Sequence, residues 1–435
     1  MLSRGDDVVA LGRRPEAMDF PAAVQRRLFD PNDAQPRPAA FENIDAVIHL
    51  AGESVAGRWT PAKKQAIRDS RIKGTQHLVA SLAACARRPQ ALISSSAVGF
   101  YGSRGDEPLF ESSQPGTDFL AQVCVAWESA ALTAQWHGIR TALLRTGIVL
   151  GNEAGALKAM AAPFRFGAGG PLGTGRQFVP WIHIEDLVAL FLFALDNELE
   201  GPLNAVAPDY ATSARFSQAL GQALRRPALA PAPAFALRAI LGEFASSILA
   251  SQLVVPARAE DAGFQWRYTL IEAAMAQATH SQLAPPYGVY RFESSQTVTA
   301  SMDEIFAFFC DPHNLEYLTP PSLRFAFASC PQIIERGSRI SYRLRLHGFP
   351  LRWETLIARW QPPRRFVDVQ LHGPYALWRH EHIFEQAADG VKLIDRVDYV
   401  LPFAPLGKLA RSFVKQDVDR IFSYRRTAIQ EHFSR

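Results

Sequence analysis

The stretch ALISSSAVGFYG, residues 91–102, decides the fold of this chain. Its apolar start, Ala91–Ile93, predicts a buried strand of a parallel sheet, and three serines follow before a loop that ends at Gly102. In open α/β sheets, ligands bind beyond the carboxyl ends of such strands, where helix N-termini and backbone N–H groups converge. Serines are also common turn formers, so the stretch alone fits a binding edge and a plain strand-to-loop exit equally well.

The segments around this stretch alternate between strands and helices. The predicted elements are strands at 7–12, 24–29, 44–52 and 141–149 and helices at 61–82 and 118–137. Thr60 is placed to cap the first of these helices, and Asp186 to cap a later helix that runs to Leu195. This alternation predicts an α/β fold with a doubly wound parallel sheet.

Composition excludes several classes of protein. The 435 residues, 48% hydrophobic and 20% charged, are typical of a globular protein with two or three domains. A net charge of +4 without a long basic run argues against a nucleic-acid partner. The four cysteines lie far apart, which indicates neither a zinc site nor disulfides and suits a reducing compartment. With no signal core and no apolar run long enough to cross a bilayer, we expect a cytoplasmic protein without a membrane segment.

A glycine-rich segment, GAGGPLGTG at residues 167–175, could be taken for a phosphate-binding loop. No strand directly precedes it, no helix directly follows it, and no lysine-serine pair closes it, although the phosphate-binding motif requires all three. We therefore predict a mobile loop on the substrate side.

Five ordered motifs resemble one known family. They are HLAG (49–52), RIKGT (71–75), SSSAVGFYG (94–102), LRTGIVLG (144–151) and FVPWIHIEDL (178–187). Together they resemble the extended short-chain dehydrogenase/reductase superfamily, and more narrowly its atypical epimerase branch, whose bacterial members are described as nucleoside-diphosphate-sugar epimerases. The resemblance implies a Rossmann-like domain over residues 1–230, and residues 231–277 are similar to the small C-terminal segment of that branch.

The resemblance implies a nicotinamide cofactor along the carboxyl edge of the sheet. The cofactor-binding residues it implies are Leu50, Ala51, Gly52, Ser94, Arg145 and Thr146. A family member that binds NAD carries an acidic residue after the second strand, whereas a 2′-phosphate favours guanidinium groups. This chain has Arg13 and Arg14 at that place, so we predict NADP rather than NAD. The alternative is that both arginines are simply solvated.

The front of the chain departs from the family. Such proteins open with a strand and a G-x-x-G-x-x-G turn that holds the pyrophosphate, and this sequence begins after both. That strand is central in the usual strand order, so its loss would leave backbone groups unpaired inside the sheet. We therefore expect a truncated or misassigned start, and poor cofactor binding by the chain as written.

The active-site helix departs as well. The superfamily uses a tyrosine as its acid/base, with a lysine four residues further on that lowers the tyrosine pKa. Alignment on Glu128 puts Leu120 and Cys124 at these two positions. A shift by one residue puts Phe119 and Val123 there instead. Neither pair can relay a proton in the usual way.

Other residues remain for catalysis. The resemblance implies that Ser95 or Ser96 keeps a hydrogen-bonding role towards the substrate. Tyr101 and His183 are the nearest candidates for a substitute acid, and each also fits a plain structural role in a loop or a strand.

A second architecture follows a predicted linker at residues 278–288. From residue 289 the pattern is strand, helix, several strands and a long final helix. This order resembles the α+β helix-grip fold of START-like (SRPBCC) domains, including the polyketide-cyclase-like and coenzyme Q-binding types. The resemblance implies that residues 289–435 hold an apolar ligand between the sheet and the last helix.

Four side chains are candidates for the lining of that ligand cavity. Trp353, Trp378, His380 and His382 could line it, and ordinary packing is an equal alternative. The two histidines share a strand face, but no third ligand is near them in the sequence, so we predict no metal site.

Two functions therefore stand at this point. One is an NADP-dependent oxidoreductase or epimerase acting on a small-molecule substrate that the C-terminal domain binds or delivers. The other is a non-catalytic, NADP-responsive ligand-binding protein. The retained serines favour the first and the missing tyrosine-lysine pair favours the second.

Overall fold

The computed structural model describes residues 1–151, 155–279, 289–401 and 411–434. These residues fall into two compact units, Met1–Leu283 and Ala284–Arg435. Most of the predicted linker lies outside the described residues. None of the described helices combines the length and the apolarity needed to cross a bilayer.

In the first unit, short parallel strands alternate with helices. The strands are β1 (Val9–Gly12), β2 (Gln25–Leu28), β3 (Ala46–His49), β4 (Ala91–Ala97), β5 (Pro108–Leu109), β6 (Arg140–Thr146), β7 (Ile148–Leu150), β8 (Trp181–His183), β9 (Gly201–Ala205) and β10 (Leu253–Val254). The helices are α1 (Pro61–Ala83), α2 (Phe119–Leu132), α3 (Ala156–Arg165), α4 (Ile184–Asp196), α5 (Ser213–Leu224), α6 (Ala234–Leu241), α7 (Phe244–Ile248), α8 (Ala257–Asp261) and α9 (Ile271–Ala278). The predicted cap of α1 is confirmed, because the Thr60 side chain accepts from the Lys63 N–H.

The main sheet of this unit is parallel, in the order β3-β4-β6-β9. Both of its faces are covered. Leu92 of β4 packs with Leu78 and Leu82 of α1, whereas the next residue, Ile93, packs with Leu190 of α4 on the opposite face. This burial on both sides explains the uninterrupted apolar run at 91–93 and confirms the predicted parallel α/β class.

The strands β1 and β2 form a parallel pair of their own. Among the described residues, no strand is hydrogen-bonded between β1 and β3, so the sheet of this unit is in separate pieces. That the chain lacks the strand with which members of the family begin stays a prediction.

Two local predictions were wrong. The strand expected at 141–149 is broken at Gly147, where an added Cβ would come within 2.8 Å of the Pro180 carbonyl oxygen, and β7 continues by pairing with β8 instead. Asp186 does not cap α4, because His183 occupies the cap position. The Asp186 carboxylate instead accepts the backbone N–H groups of Arg267 and Tyr268 at 2.8 and 3.0 Å.

Within the first unit, the segment at 231–277 packs against α5 through a buried ion cluster. The Arg215 guanidinium of α5 donates to both carboxylate oxygens of Glu272 on α9, at 2.9 and 2.8 Å. It also pairs with Asp209, which accepts the Ile271 N–H at 2.8 Å. These contacts fix α9 against α5.

The described residues of the second unit form an antiparallel sheet with three α-helices. Its elements are β11 (Val289–Val298), α10 (Met302–Cys310), α11 (Asn314–Tyr317), β12 (Ala326–Ser329), β13 (Arg339–Leu346), β14 (Phe349–Gln361), β15 (Arg365–His372), β16 (Leu377–Ala387), β17 (Gly390–Val400) and α12 (Arg411–Phe433). The seven strands are ordered β11-β17-β16-β15-β14-β13-β12. Ala428 and Ile429 of α12 join a core with Val298, Ile357 and Phe366 of the sheet. The predicted meander of strands is present, and assignment to the helix-grip fold stays a prediction.

Candidate nucleotide site and C-terminal cavity

The end of β3 opens to solvent directly after a buried histidine. Leu50, Ala51 and Gly52 follow the strand and are exposed. His49 is buried, with its Nε2 3.0 Å from the Thr75 hydroxyl. Burial lowers the pKa of His49 to about 4, so its ring is neutral near pH 7. The HLAG motif thus gives a firmly anchored strand with an accessible backbone beyond it.

Arg71 of the RIKGT motif supports this strand end. Its Nη1 donates to the Glu53 carbonyl oxygen at 2.8 Å, and its guanidinium lies 5.1 Å from the Trp127 ring centroid. An added Cβ on Gly52 would come within 3.1 Å of the guanidinium carbon, so glycine leaves space for the arginine here.

Arg13 and Arg14 directly follow β1 and are exposed. Among the described residues, neither guanidinium has a hydrogen bond or an ion pair. The pKa of Glu53 is lowered chiefly by its hydrogen bond with Lys63, with a smaller contribution from Arg13. Arg13 therefore lies near the end of β3, and both arginines keep their donors for a phosphate group.

The serines at the end of β4 point in different directions. The Ser96 hydroxyl is buried and donates to Oε1 of Glu128 at 2.6 Å, and the Ser94 hydroxyl donates to the Ser95 carbonyl oxygen at 3.2 Å. Ser95 is half-buried. Of the three side chains, Ser95 is the most accessible to a bound molecule.

Arg145 is one of the expected cofactor-binding residues, but its guanidinium makes its contacts in the protein interior. Its Nε and Nη2 donate to the two carboxylate oxygens of Glu128, each at 2.8 Å. Its Nη1 donates to the Tyr101 hydroxyl and to the Glu111 carbonyl oxygen, both at 3.0 Å, and the guanidinium lies 3.5 Å from the Phe100 ring centroid. With 4% of its surface exposed, Arg145 organises the interior. Thr146, half-buried, donates to the Leu144 carbonyl oxygen at 3.1 Å.

Tyr101 is also buried in the interior, whereas the sequence made it a candidate for the substitute acid. Its side chain is fully buried, and its hydroxyl donates to Oδ1 of Asn204 at 2.6 Å while accepting from Arg145. Burial raises the pKa of Tyr101 to about 12. The phenol therefore keeps its proton near pH 7 and holds β6 and β9 together.

His183, the other candidate for the substitute acid, likewise makes structural contacts. Its Nδ1 accepts from the Glu185 N–H at 3.2 Å and so caps α4. The proton is then on Nε2, which donates to Oε1 of Gln277 at 2.6 Å. The ring is fully buried, and burial lowers its pKa.

The active-site helix presents Leu120 and Cys124 to the serine loop. An added Cβ on Gly99 would lie 3.4 Å from Cβ of Leu120 and 3.8 Å from Sγ of Cys124. Phe119, by contrast, packs against Trp59. The geometry thus agrees with alignment on Glu128. Burial raises the pKa of Cys124 to about 12, so this side chain stays a thiol.

The glycine-rich segment is held by backbone pairing. Leu172 forms a parallel bridge with Ala232, and the Gly173 N–H donates to the Ala232 carbonyl oxygen at 2.9 Å. An added Cβ on Gly170 would meet the Ala230 carbonyl oxygen at 2.2 Å. These glycines permit a close backbone approach, and the mobility of the loop stays a prediction.

The second unit encloses a cavity of about 170 Å³. The four side chains proposed from the sequence, Trp353, Trp378, His380 and His382, all line it, together with phenylalanines, leucines and isoleucines of the sheet and helices. Asp311, Asp368 and Arg425 add charge to this largely apolar lining.

Two histidines and two aspartates form a buried cluster at the cavity wall. Nε2 of His380 lies 2.8 Å from Oδ1 of Asp395, and Nε2 of His382 lies 2.9 Å from Oδ2 of Asp368. Burial and the neighbouring His382 lower the pKa of His380 to about 4. Burial alone would raise the pKa of Asp395, but Arg425 and the two imidazoles lower it well below its ordinary value.

Sequence reasoning missed both aspartates. They lie on the strands that flank β16, and the registers pair Asp368 with His380 and Asp395 with His382. No local motif marks such a cross-strand pair. Only the register between β16 and its neighbouring strands would have revealed these aspartates as partners of the histidines.

Comparison with known proteins agrees with the geometry of the first unit. The sequence model of the NAD dependent epimerase/dehydratase family matches residues 1–206, and a domain of unknown function, DUF1731, matches residues 232–278. An epimerase family protein of Mycobacterium leprae (strain TN) is 42% identical over 262 residues, which cover 60% of this chain and 85% of that protein.

Two solved structures extend the likeness. The human epimerase family protein SDR39U1 (isoform2), solved with NADPH, is 32% identical with a TM-score of 0.57, and the match covers 64% of this chain and 92% of that one. A nucleoside-diphosphate sugar epimerase from Corynebacterium glutamicum is 32% identical with a TM-score of 0.51, over 64% of this chain and 59% of that one. The chain belongs to the SDR39U1-like epimerase family and carries the C-terminal segment found with it.

Proposed function

We propose that the first unit binds NADP(H), with NADP preferred over NAD, and acts as an oxidoreductase or epimerase on a polar small-molecule substrate. The observation that carries this proposal is the pair Arg13 and Arg14, which follow β1 directly and keep their donors unpaired among the described residues. Guanidinium groups suit a 2′-phosphate dianion, whereas a ribose hydroxyl favours a carboxylate. The human relative solved with NADPH supports this preference.

Each part of the edge has a role in this proposal. Arg13 and Arg14 hold the 2′-phosphate, and the exposed backbone at Leu50–Gly52 lies along the cofactor. The bound nicotinamide supplies or accepts a hydride. Ser95 orients the substrate by hydrogen bonding, because its hydroxyl is the least enclosed of the three serines. Tyr101 and Arg145 act as positioning residues that hold β4, β6 and β9 in register.

A second function is favoured by one specific observation. Leu120 and Cys124 lie against the serine loop, where the family's tyrosine and lysine would stand. A leucine cannot transfer a proton, and a thiol with a pKa near 12 is a poor acid at neutral pH. The alternative is a non-catalytic protein that responds to NADP(H) and binds an apolar ligand in a START-like helix-grip domain, residues 289–435, where the cavity supports such a ligand.

Titration of the full chain with NADPH and NADH tests cofactor choice. We expect tighter binding of NADPH, and the Arg13→Ala/Arg14→Ala double variant should lose at least about tenfold in the NADPH/NADH affinity ratio, since each charge-assisted contact contributes about 1.5–3 kcal/mol. Arg87→Ala removes an exposed arginine elsewhere and serves as the control. Equal affinities of the wild type for the two cofactors would overturn the preference.

Stopped-flow absorbance separates the two functions. NADPH oxidation is followed with a panel of sugar nucleotides and quinones. Turnover that falls in Ser95→Ala supports an enzyme. Binding of NADPH without hydride transfer to any panel member supports the non-catalytic alternative.

A further inference from the structure

The cavity of the second unit has a polar wall made by three neighbouring strands. His380 and His382 lie on β16, Asp368 on β15 and Asp395 on β17. Residues two apart on a strand point to the same face, and the strand registers put both aspartates opposite the histidines. All four side chains therefore share one face of the sheet, and they are buried or nearly so.

Three atoms of this group converge. Oδ2 of Asp368 lies 2.9 Å from Nε2 of His382 and 3.4 Å from Nδ1 of His380. One potential ligand atom from each of the three residues lies within 4.8 Å of the others. Atoms bound to one tetrahedral ion at about 2.0–2.1 Å are roughly 3.3 Å apart, so this spacing already suits a shared ion.

Asp395 contacts the other nitrogen of each ring. Its Oδ1 lies 2.8 Å from Nε2 of His380 and 3.3 Å from Nδ1 of His382. Metal-bound imidazoles commonly donate their second N–H to a carboxylate, which fixes the tautomer and the ring orientation. Nε2 of His382 is within hydrogen-bond distance of Oδ2 of Asp368, at 2.9 Å, and Nη2 of Arg425 lies 3.4 Å from Nδ1 of His382. An ion bound by Asp368 and His382 would replace the hydrogen bond between them.

One guanidinium, that of Arg425, lies beside these atoms in the described part of the chain, and its Nε is 3.9 Å from Oδ2 of Asp395. Arg425 is 8% exposed, it lines the cavity, and its Nε has no hydrogen bond in the part of the chain described.

We propose that Asp368, His380 and His382 bind a divalent transition-metal ion, with Asp395 holding both imidazoles in position. Two imidazoles and one carboxylate form a ligand set that such ions favour and that leaves coordination positions open. Asp368 and both histidines line the cavity, so the open positions face the space that a ligand would occupy.

Titration of chelator-treated full chain with Co²⁺ tests this site, because Co²⁺ bound by nitrogen and oxygen gives visible absorption and shifts the NMR signals of the bound imidazoles. We expect a saturable band at a single equivalent per chain and shifted signals from two histidine rings. Zn²⁺ should displace the Co²⁺. Asp368→Asn and His380→Asn should each weaken binding about 100-fold or more, and Asp395→Asn about 10–100-fold with the band retained.

The matched control is His372→Asn, which removes an exposed histidine whose Nδ1 lies 3.1 Å from Oε2 of Glu354. It should bind Co²⁺ like the wild type, and circular dichroism checks that every variant is folded. A wild type without a saturable band overturns the proposal. So does a band that disappears in His372→Asn, or one that persists at full affinity in folded Asp368→Asn and His380→Asn. If the ligand variants unfold, the wild-type stoichiometry and the count of shifted imidazoles decide.

Discussion

The two units each bury a polar cluster, and the clusters differ in how their charges are matched. In the first unit, the Arg145 guanidinium donates to Glu128, Tyr101 and the Glu111 carbonyl oxygen, and it is enclosed by protein. In the second unit, the described residues place one guanidinium, that of Arg425, beside two histidines and two aspartates, and three of these four side chains line a cavity.

The difference shows which buried charges indicate a binding site. A cluster with matched donors and acceptors is complete, so it stabilises the fold and has nothing left to offer a ligand. A cluster of potential metal ligands that lines an open volume is accessible to a ligand or an ion.

Removal of the central charge of the first cluster has the largest expected effect. Arg145→Met should lower the free energy of unfolding by about 3–5 kcal/mol, because it leaves Glu128 buried without its partner. Urea unfolding measures the loss. The control is Arg87→Ala, which removes an exposed ion pair and should cost no more than about 1 kcal/mol. A loss below 1 kcal/mol for Arg145→Met would mean that the cluster is not structural.

The buried histidine of the HLAG motif should make stability depend on pH. Burial lowers the pKa of His49 to about 4, below its unfolded value near 6.5, so the unfolded chain binds more protons between these values. Stability is therefore lost as the pH falls. Between pH 7 and pH 5 this group should account for about 2 kcal/mol.

Comparison of pH-dependent urea unfolding for wild type and His49→Gln isolates this contribution. The variant should lose that part of the slope, while His313→Gln, which removes an exposed ring, should keep it. Identical slopes for wild type and His49→Gln would show that the ring is not held neutral.

A smaller effect is expected for the phenol. Tyr101→Phe removes one acceptor of Arg145 and the donor to Asn204, so the free energy of unfolding should fall by about 1.5 kcal/mol. If the chain turns over a substrate, kcat should keep its pH profile in this variant, because the hydroxyl is enclosed. A lost alkaline limb in that profile would instead assign Tyr101 as a catalytic acid.

Local sequence patterns predicted the elements that depend on local physics. The apolar run at 91–93 indicated a strand covered on both faces, and Thr60 with Pro61 marked the start of α1. The position of Asp186 predicted a helix cap, but His183 caps α4 instead. The Asp186 carboxylate accepts hydrogen bonds from backbone N–H groups about 80 residues further along the chain.

The contents of the candidate sites were less accessible to such reasoning. The resemblance implied that Arg145 binds the cofactor, yet its guanidinium donates to Glu128, 17 residues earlier in the chain. The His380–His382 pair was visible in the sequence, and its carboxylate partner was not, because Asp368 becomes a neighbour only through the register of β15 and β16. Long-range pairing decides both outcomes.

Anomalous diffraction from crystals of the full chain grown with Co²⁺ tests the contrast between the clusters most directly. The account predicts a strong peak about 2.0–2.2 Å from the imidazole nitrogens of His380 and His382 and from a carboxylate oxygen of Asp368, with none beside Arg145. An empty wall at the C-terminal cavity, or a peak at the Arg145–Glu128 cluster, would contradict it.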